Sequence, residues 1–413
     1  MTDNKRRVVI TGMGGLSPIG NSSSEMWENA KKGKLGIGEI THYDASDSEI
    51  KFAGEVKDFD PSALMSRQEA RRLSRFTQFA ISAADEAFRQ SGLDMEKEDP
   101  LRCGVNISSG IGGLDIIERE HSKALKKGFD RVSPLFIPMS ITNMAAGMTA
   151  IRLGFKGSCT CLVTACASST NAIGEAFHYI RDGYAEVMAA GGTESCITPL
   201  AIAGFHSMRA LSKAQDPARA SIPFDRERSG FAMGEGAGVL MLEEYEHAVK
   251  RGAAILGEVK GYGASCDAHH MTAPLEDGSG AAACMGMALR DAGISPSDIG
   301  YINAHGTGTP LNDKGETRAV KTIFDDHTND LIMSSTKSMT GHLLGASGAV
   351  EAILTVSALQ DQIAPPTIGY KVPDPECSIA CAPNQAESIR TEYAMSNSLG
   401  FGGHNASLVF RRA

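Results

Sequence analysis

Three residues stand out for their chemistry. Cys166 lies in "LVTACASSTNAIG", His305 in "YINAHGTGTPLND", and His342 in "STKSMTGHLLGASGAVEAI", which also carries Lys337 and Glu351. Each follows an apolar, strand-like run and sits in a turn rich in small residues. The ends of strands in an α/β protein are where sites assemble. A cysteine with two neutral imidazoles would supply a nucleophile and two hydrogen-bond donors for a carbonyl oxygen. Small residues around Cys166 let a helix begin there, so its first free N–H groups and the positive end of its dipole would favour the thiolate and hold an oxyanion. That help matters because an ordinary cysteine, of pKa about 8.5, is only a few percent ionised at neutral pH. Each residue also has a plainer reading. A free cysteine packs as a small hydrophobe, and a single histidine is more often structural than catalytic.

The elements that must position these residues are legible as alternation. Short β-branched runs, "RRVVITGMG", "RCGVNISSG", "AEVMAAGG", "GVLMLEE" and "AILGEVKGYG", alternate with helical patterns such as "RFTQFAISAADEAFRQSG" and "GAAACMGMALRDAG". This predicts an α/β protein with a mainly parallel sheet. In the first helix Asp85 and Glu86 read as a solvated face. "LVTACASSTNAIGEAFHYIRDG" and "MSSTKSMTGHLLGASGAVEAILTVSALQ" share a strand, a small-residue turn and a helix. That repetition predicts two similar halves, residues 1–252 and 253–413, the first carrying the cysteine and the second the histidines.

The 413 residues are 42% apolar, ample for a large core, and the net charge of -9 argues against bulk attraction to nucleic acid. Nine cysteines without a Cys-x-x-Cys pair point to a reducing cytoplasm. The basic start runs into an apolar stretch, but Gly12, Gly14, Gly15 and Pro18 break it early, and no uncharged apolar run approaches the roughly 18 residues of a membrane span.

Four motifs, "TACASS", "NAHGTGTPLNDKGE", "SSTKSMTGHLLGASGAVEAI" and "NSLGFGGHNASLVF", in this order, resemble the beta-ketoacyl-[acyl carrier protein] synthases, condensing enzymes of fatty acid synthesis. The likeness runs over nearly the whole chain and includes "PFDRERSGFAMGEGAGVLMLEEYEHAVKRGA", with the type II branch the nearer match. It implies a thiolase fold, two similar halves in five alternating αβαβα layers, usually a homodimer. It implies that Cys166 accepts the acyl group and that His305 and His342 hold the malonyl thioester carbonyl while carbon dioxide leaves. Losing one such donor would cost roughly 3 to 4 kcal/mol of barrier. Lys337 would order the histidine region, with Glu351 as its partner, and the N–H groups of Cys166 and Phe401 would form an oxyanion hole. Phe401, in "GFGG", resembles a gate between the half-reactions.

By the same likeness Thr307 and Thr309 would meet the pantetheine arm, Ile111 and Phe205 the acyl chain, and Asp267, His270 and Thr272 a loop at the entrance. Arg71, Arg72, Arg131 and Arg209 match positions that dock the acidic acyl carrier protein. No metal or redox cofactor is expected, because decarboxylation supplies the carbanion and phosphopantetheine arrives on the carrier. The chain departs from the pattern at Leu399, where a further Phe is usual; His404 is not counted as a third catalytic histidine.

Two other signals are set aside. Gly12-x-Gly14-x-x-Ser17 lacks the third glycine of a dinucleotide loop, and Cys266, Asp267, His269 and His270 are too adjacent to converge on one metal ion. Competing functions are a polyketide ketosynthase of the same fold, a degradative thiolase, which would need a second cysteine near "GFGGHNAS", and a non-catalytic chain-length subunit, which would lack the nucleophile. A nucleotide-binding module is weakened by the broken glycine motif.

Overall fold

The computed structural model describes residues 5–413. Its framework is a ten-stranded sheet. In chain order the strands are β1 Val8–Leu16, β2 Cys103–Ser108, β3 Cys159–Thr160, β4 Val187–Glu194, β5 Gly236–Glu244, β6 Gly257–Cys266, β7 Ile299–Asn303, β8 Ile332–Ser334, β9 Tyr393–Gly400 and β10 His404–Arg412. They lie side by side as β8-β7-β9-β10-β6-β1-β5-β4-β2-β3. Read outward from the centre, β1-β5-β4-β2-β3 and β6-β10-β9-β7-β8 follow the same course. The chain passes from one set to the other between Glu244 and Gly257, and β1 meets β6 along Val8–Ile10.

The sheet is mixed rather than mainly parallel. β2 runs parallel to β3 and β4, and β7 parallel to β8 and β9. The pairs β1–β5, β1–β6, β4–β5, β6–β10 and β9–β10 are antiparallel. Helical crossovers return the chain parallel, whereas β9 reaches β10 through the short turn at Gly400–Gly403, which can only reverse it.

Six helices matter for the layers: α1 Arg75–Ser91, α2 Met144–Leu153, α3 Ser168–Arg181, α4 Ser279–Ala292, α5 Pro310–Phe324 and α6 Ser347–Asp361. α3 and α6 form the middle layer between the two strand sets; α1 and α2 cover one outer face, α4 and α5 the other. Every residue of α6 from Ser347 to Leu359 is buried, as expected of a helix with protein on all sides. Each fully buried Ile or Leu here, such as Ile353 and Leu354, contributes about 1.5–3 kcal/mol. The two central helices are joined by the Ala349 N–H donating to Ser169 Oγ at 3.0 Å, and Thr170 Oγ1 pairs with Ser398 Oγ of β9 at 2.6 Å.

The glycines of "TGMGG" serve packing. A Cβ on Gly12 would lie 2.0 Å from the Ala87 carbonyl oxygen, and one on Gly14 2.0 Å from that of Ala83, so α1 rests directly on the β1 backbone. α1 ends at Gly92 in the left-handed region, as its stop signal predicts. Glu86 departs from its expected place. It turns inward, and its carboxylate accepts the N–H of Gly15 at 2.9 Å and the N–H and O–H of Ser23 at 2.9 and 2.8 Å, locking α1 to the end of β1. Asp85 remains a surface partner of Arg89 and Arg152. Among the described residues no helix is long and apolar enough to cross a membrane.

Candidate active site

Cys166 stands on a 3-10 turn, Ala165–Ala167, that leads directly into α3. Ala165 has φ of 50°, a left-handed conformation that costs a non-glycine residue about 1 kcal/mol or more. Ser168 closes the turn. Its Oγ accepts the Thr164 N–H at 2.9 Å and donates to the Ala165 carbonyl at 2.6 Å.

His342 precedes a second such turn, Leu344–Ala346, which leads into α6. Leu344 has φ of 48°. The first helical residue is again a serine, Ser347, whose Oγ pairs with His342 Nδ1 at 2.9 Å. His305 follows β7, and its ring lies 5.3 Å from that of His342, edge to face.

These three side chains line one cavity of about 370 Å³. Phe205, Phe401 and Leu399 form apolar wall; Thr272, Thr307, Thr309 and Arg209 also border it. Phe205 stands 6.3 Å from Phe401 and 5.6 Å from Phe231, ring to ring. Ile111 is outside the lining but packs in the same apolar cluster as Cys166 and Phe205. The Thr307 and Thr309 hydroxyls pair at 2.9 Å, and Thr309 does not cap α5 with its side chain.

Lys337 and Glu351 sit behind the cavity, 1% and 2% exposed, and pair with each other. Burial pushes the Glu351 carboxyl up, and the Lys337 ammonium opposes that shift. Burial also holds both histidines well below the ordinary imidazole range, with Lys337 adding to it, so His305 and His342 are neutral.

The cysteine behaves differently from the helix-dipole expectation. Burial pushes its thiol up to about 12, outweighing the Lys337 cation and the N–H groups of Phe401 and of Cys166 itself, which favour the anion. The resting group is a thiol, and its proton must leave as it attacks.

Phe401 belongs to the β9–β10 turn, where Gly402 and Gly403 have φ of 84° and 75°. This turn and the 266–275 loop hold each other. Gly402 N–H donates to Met271 O at 2.8 Å, Asp267 N–H to Gly403 O at 2.9 Å, and Asn405 Nδ2 to Asp267 Oδ1 at 2.7 Å. Cys266 Sγ contacts Gly402 O in the β9–β10 turn, and His270 Nδ1 accepts the N–H groups of Thr272 and Ala273 within its own loop. Arg71, Arg72 and Arg131 are exposed and outside the cavity lining, at the end of a one-turn helix and on a short 3-10 turn. Arg209, also exposed, borders the mouth with φ of 57°.

Sequence reasoning missed the groups that hold the histidine loops. Glu316 of α5 is fully buried; it accepts the N–H of His305 and of Gly306, each at 2.8 Å, and burial raises it to about 7. Asp313, also buried, accepts from Phe224 and Gly308. Their spacing three apart, on the covered side of a proline-started helix, was the available signal.

Comparison with known proteins agrees with this geometry. Residues 5–248 match the model "Beta-ketoacyl synthase, N-terminal domain" and residues 256–371 match "Beta-ketoacyl synthase, C-terminal domain". The chain belongs to the beta-ketoacyl synthase family. It is 51% identical to a 3-oxoacyl-[acyl-carrier-protein] synthase 2 of Synechocystis over 99% of this chain and 98% of the relative, and 51% identical to one of Staphylococcus aureus over 100% and 99%. A chain from a solved type II polyketide acyl-carrier protein in complex with its ketosynthase superposes with TM-score 0.93 at 34% identity, covering 99% of this chain and all of that one. A beta-ketoacyl synthase from Burkholderia phymatum gives 0.91 at 34%, with the same coverage. The fold is the thiolase fold, and the chain is an acyltransferase-class enzyme that condenses acyl units.

Proposed function

We propose that Cys166 carries the acyl chain and that His305 and His342 hold the malonyl unit in the decarboxylative condensation of fatty acid elongation. The observation that carries this is a buried cysteine sharing one cavity with two neutral imidazoles, with the N–H groups of Phe401 and of Cys166 itself favouring its anion. In the first half-reaction the sulfur attacks the acyl thioester carbonyl. A carbon–sulfur bond forms to Cys166, the bond to pantetheine breaks, and the cysteine proton ends on the departing thiol. The oxyanion formed on the way is held by the N–H groups of Cys166 and Phe401.

In the second half-reaction malonyl thioester enters past the Thr307 and Thr309 hydroxyls. The N–H groups of His305 and His342 bind its carbonyl, so loss of carbon dioxide leaves an enolate on preorganised donors. The enolate carbon attacks the acyl-cysteine carbonyl, a carbon–carbon bond forms as the carbon–sulfur bond to Cys166 breaks, and the sulfur leaves as a thiolate that takes a proton from solvent. The product is a beta-ketoacyl chain on the carrier. Burial, with the Lys337 cation adding to it, keeps the imidazoles neutral and therefore able to donate a hydrogen bond. No step calls for a metal or a redox cofactor.

The remaining parts of this reading rest on the family resemblance, with exposure and charge in support. Ile111 and Phe205 border the acyl chain, and Phe401, on its glycine-rich turn, moves between loading and condensation. Thr272, on the loop tied to that turn, faces incoming pantetheine. Arg71, Arg72, Arg131 and Arg209, exposed on a chain of net charge -9, form the dock for an acidic acyl carrier protein. Strand β3, Cys159–Thr160, is a sheet edge with an exposed outer side, and Val163, Ile137 and Ile141 nearby in sequence are exposed apolar residues; a second copy of the chain would cover them as a homodimer. The division at residue 252, within the crossing between the strand sets, separates a nucleophile half from a histidine half. The protein acts in the cytoplasm, where its free cysteines stay reduced.

Identity supports fatty acid over polyketide chains: 51% to the 3-oxoacyl synthases, with 34% to the polyketide ketosynthase complex. The test is intact-protein mass after incubation with acyl-carrier thioesters of increasing length. A mass increase that requires Cys166 and leads to elongation on adding malonyl carrier is expected. An absent adduct at every length overturns the assignment.

A further inference from the structure

Glu194 ends β4 and is fully buried, and its carboxylate enters the space between two segments of the site. One is the loop Ser109–Gly112, which carries Ile111; the other is the turn Leu343–Ala346, which follows His342. Oε1 accepts the Ser109 O–H at 2.8 Å and the Ile111 and Gly112 N–H groups at 3.3 Å. Oε2 accepts the Gly110 N–H at 2.8 Å and the Gly345 N–H at 3.0 Å. The Cys196 thiol adds a contact at 3.4 Å.

All these partners are neutral donors: burial pushes the carboxyl up, and hydrogen bonds rather than a cation oppose that shift in favour of the carboxylate. An ionised carboxylate offers acceptors only, on both oxygens, which matches donors arriving from two sides; an amide of the same shape would turn N–H onto N–H at one of them. The two segments also touch without side chains between them. A Cβ on Gly345 would lie 2.3 Å from Gly110 N and 2.8 Å from Glu194 Oε2.

We infer that Glu194 is a positioning residue for condensation, fastening the acyl-pocket loop to the turn after His342 so that seating of the acyl chain and placement of the imidazole are set together. This rests on the function proposed above. An independent consequence comes from charge. Glu194 is among the groups that hold the Cys166 thiol up, so neutralising it eases ionisation of the cysteine.

The experiment compares the full-length protein with Glu194→Gln and with the milder Ser109→Ala. It measures acyl loading by intact mass along a chain-length series, condensation from the pre-acylated enzyme, and iodoacetamide alkylation of Cys166 at fixed pH. For Glu194→Gln, condensation is expected to fall about tenfold to a hundredfold, as for a buried donor array losing its acceptor. The preferred chain length should shift and alkylation should become faster. Ser109→Ala should move condensation and chain length the same way by less. Loading, condensation and alkylation falling by one common factor would overturn the inference, as would an unchanged length profile with unchanged condensation. Where Glu194→Gln does not fold, Ser109→Ala decides by the same criteria. A wild-type protein that never loads Cys166 would instead overturn the proposed function.

Discussion

The turn at Thr164–Ser168 and the turn at Leu343–Ser347 have the same backbone and different occupants. Each has one non-glycine residue at φ near 50°, then a 3-10 turn, then a buried helix opening on serine. In the first, the residue after the strained one is Cys166, with a side chain facing the cavity. In the second it is Gly345, whose missing side chain admits the Gly110 backbone and the Glu194 carboxylate. The serines diverge as well: Ser168 closes its own turn, whereas Ser347 serves His342. On the proposed reading, one copy of the motif presents the nucleophile, and the other surrenders that place to hold an imidazole. The same strained turn thus positions different groups in the two halves: Cys166 on the turn itself in the first, and His342 just before it in the second.

The comparison breaks most visibly at the nucleophile. Cys166→Ala should lower condensation by at least about a thousandfold, with malonyl decarboxylation still measurable by carbon dioxide release, because the histidine turn is untouched. Retained elongation would remove Cys166 from its role.

Burial of the first turn gives the next largest effect. With the thiol pushed up to about 12, the ionised fraction grows tenfold for each unit of pH below that value. Iodoacetamide labelling of Cys166 should thus rise about a hundredfold between pH 7 and pH 9. A plateau beginning below pH 8 would mean that the helix end outweighs burial after all.

At the second turn, Gly345→Ala forces a methyl group into the Gly110 and Glu194 contacts. Urea unfolding should show a loss of about 1–3 kcal/mol, with condensation more affected than acyl loading. An unaltered midpoint would show that this turn has the room its counterpart has.

The serines sharpen the contrast more finely. Ser347→Ala should slow condensation from the pre-acylated enzyme by about tenfold and leave loading close to wild type, since His342 Nδ1 loses its partner. Ser168→Ala should instead slow loading. Equal effects of both changes on both steps would erase the division of labour. The smallest effect concerns strain. Ala165→Gly should leave unfolding free energy within about 1 kcal/mol of wild type or raise it, whereas Leu344→Gly should lower it by about 2 kcal/mol or more, because Leu344 is also buried core.

Much of this architecture can be read along the chain. The runs around Val8, Cys103, Val187, Gly236 and Gly257 become strands, and α1 stops at Gly92, because alternation, periodicity and left-handed glycine are local properties. The two small-residue turns are visible for the same reason, and with them Cys166 and His342. Strand direction is different. Nothing within "GVLMLEE" says that β5 lies antiparallel between β1 and β4, since that depends on how the connection returns.

The carboxylates mark the limit most clearly. Glu86, Glu194 and Glu316 look along the chain like charges for solvent, yet each is drawn inward to accept backbone N–H groups that face no carbonyl of their own. Residue type and spacing thus settled which groups could react and where the backbone would turn. Closure of the two strand sets around α3 and α6 settled the rest: which carboxylate answers which orphaned N–H, that both imidazoles are neutral, and that the reactive sulfur is a thiol. Those properties arise from desolvation and from contacts between segments far apart in the chain, 151 residues for Glu194 and Gly345 and more for Cys166 and Phe401, and no local window of the chain contains them.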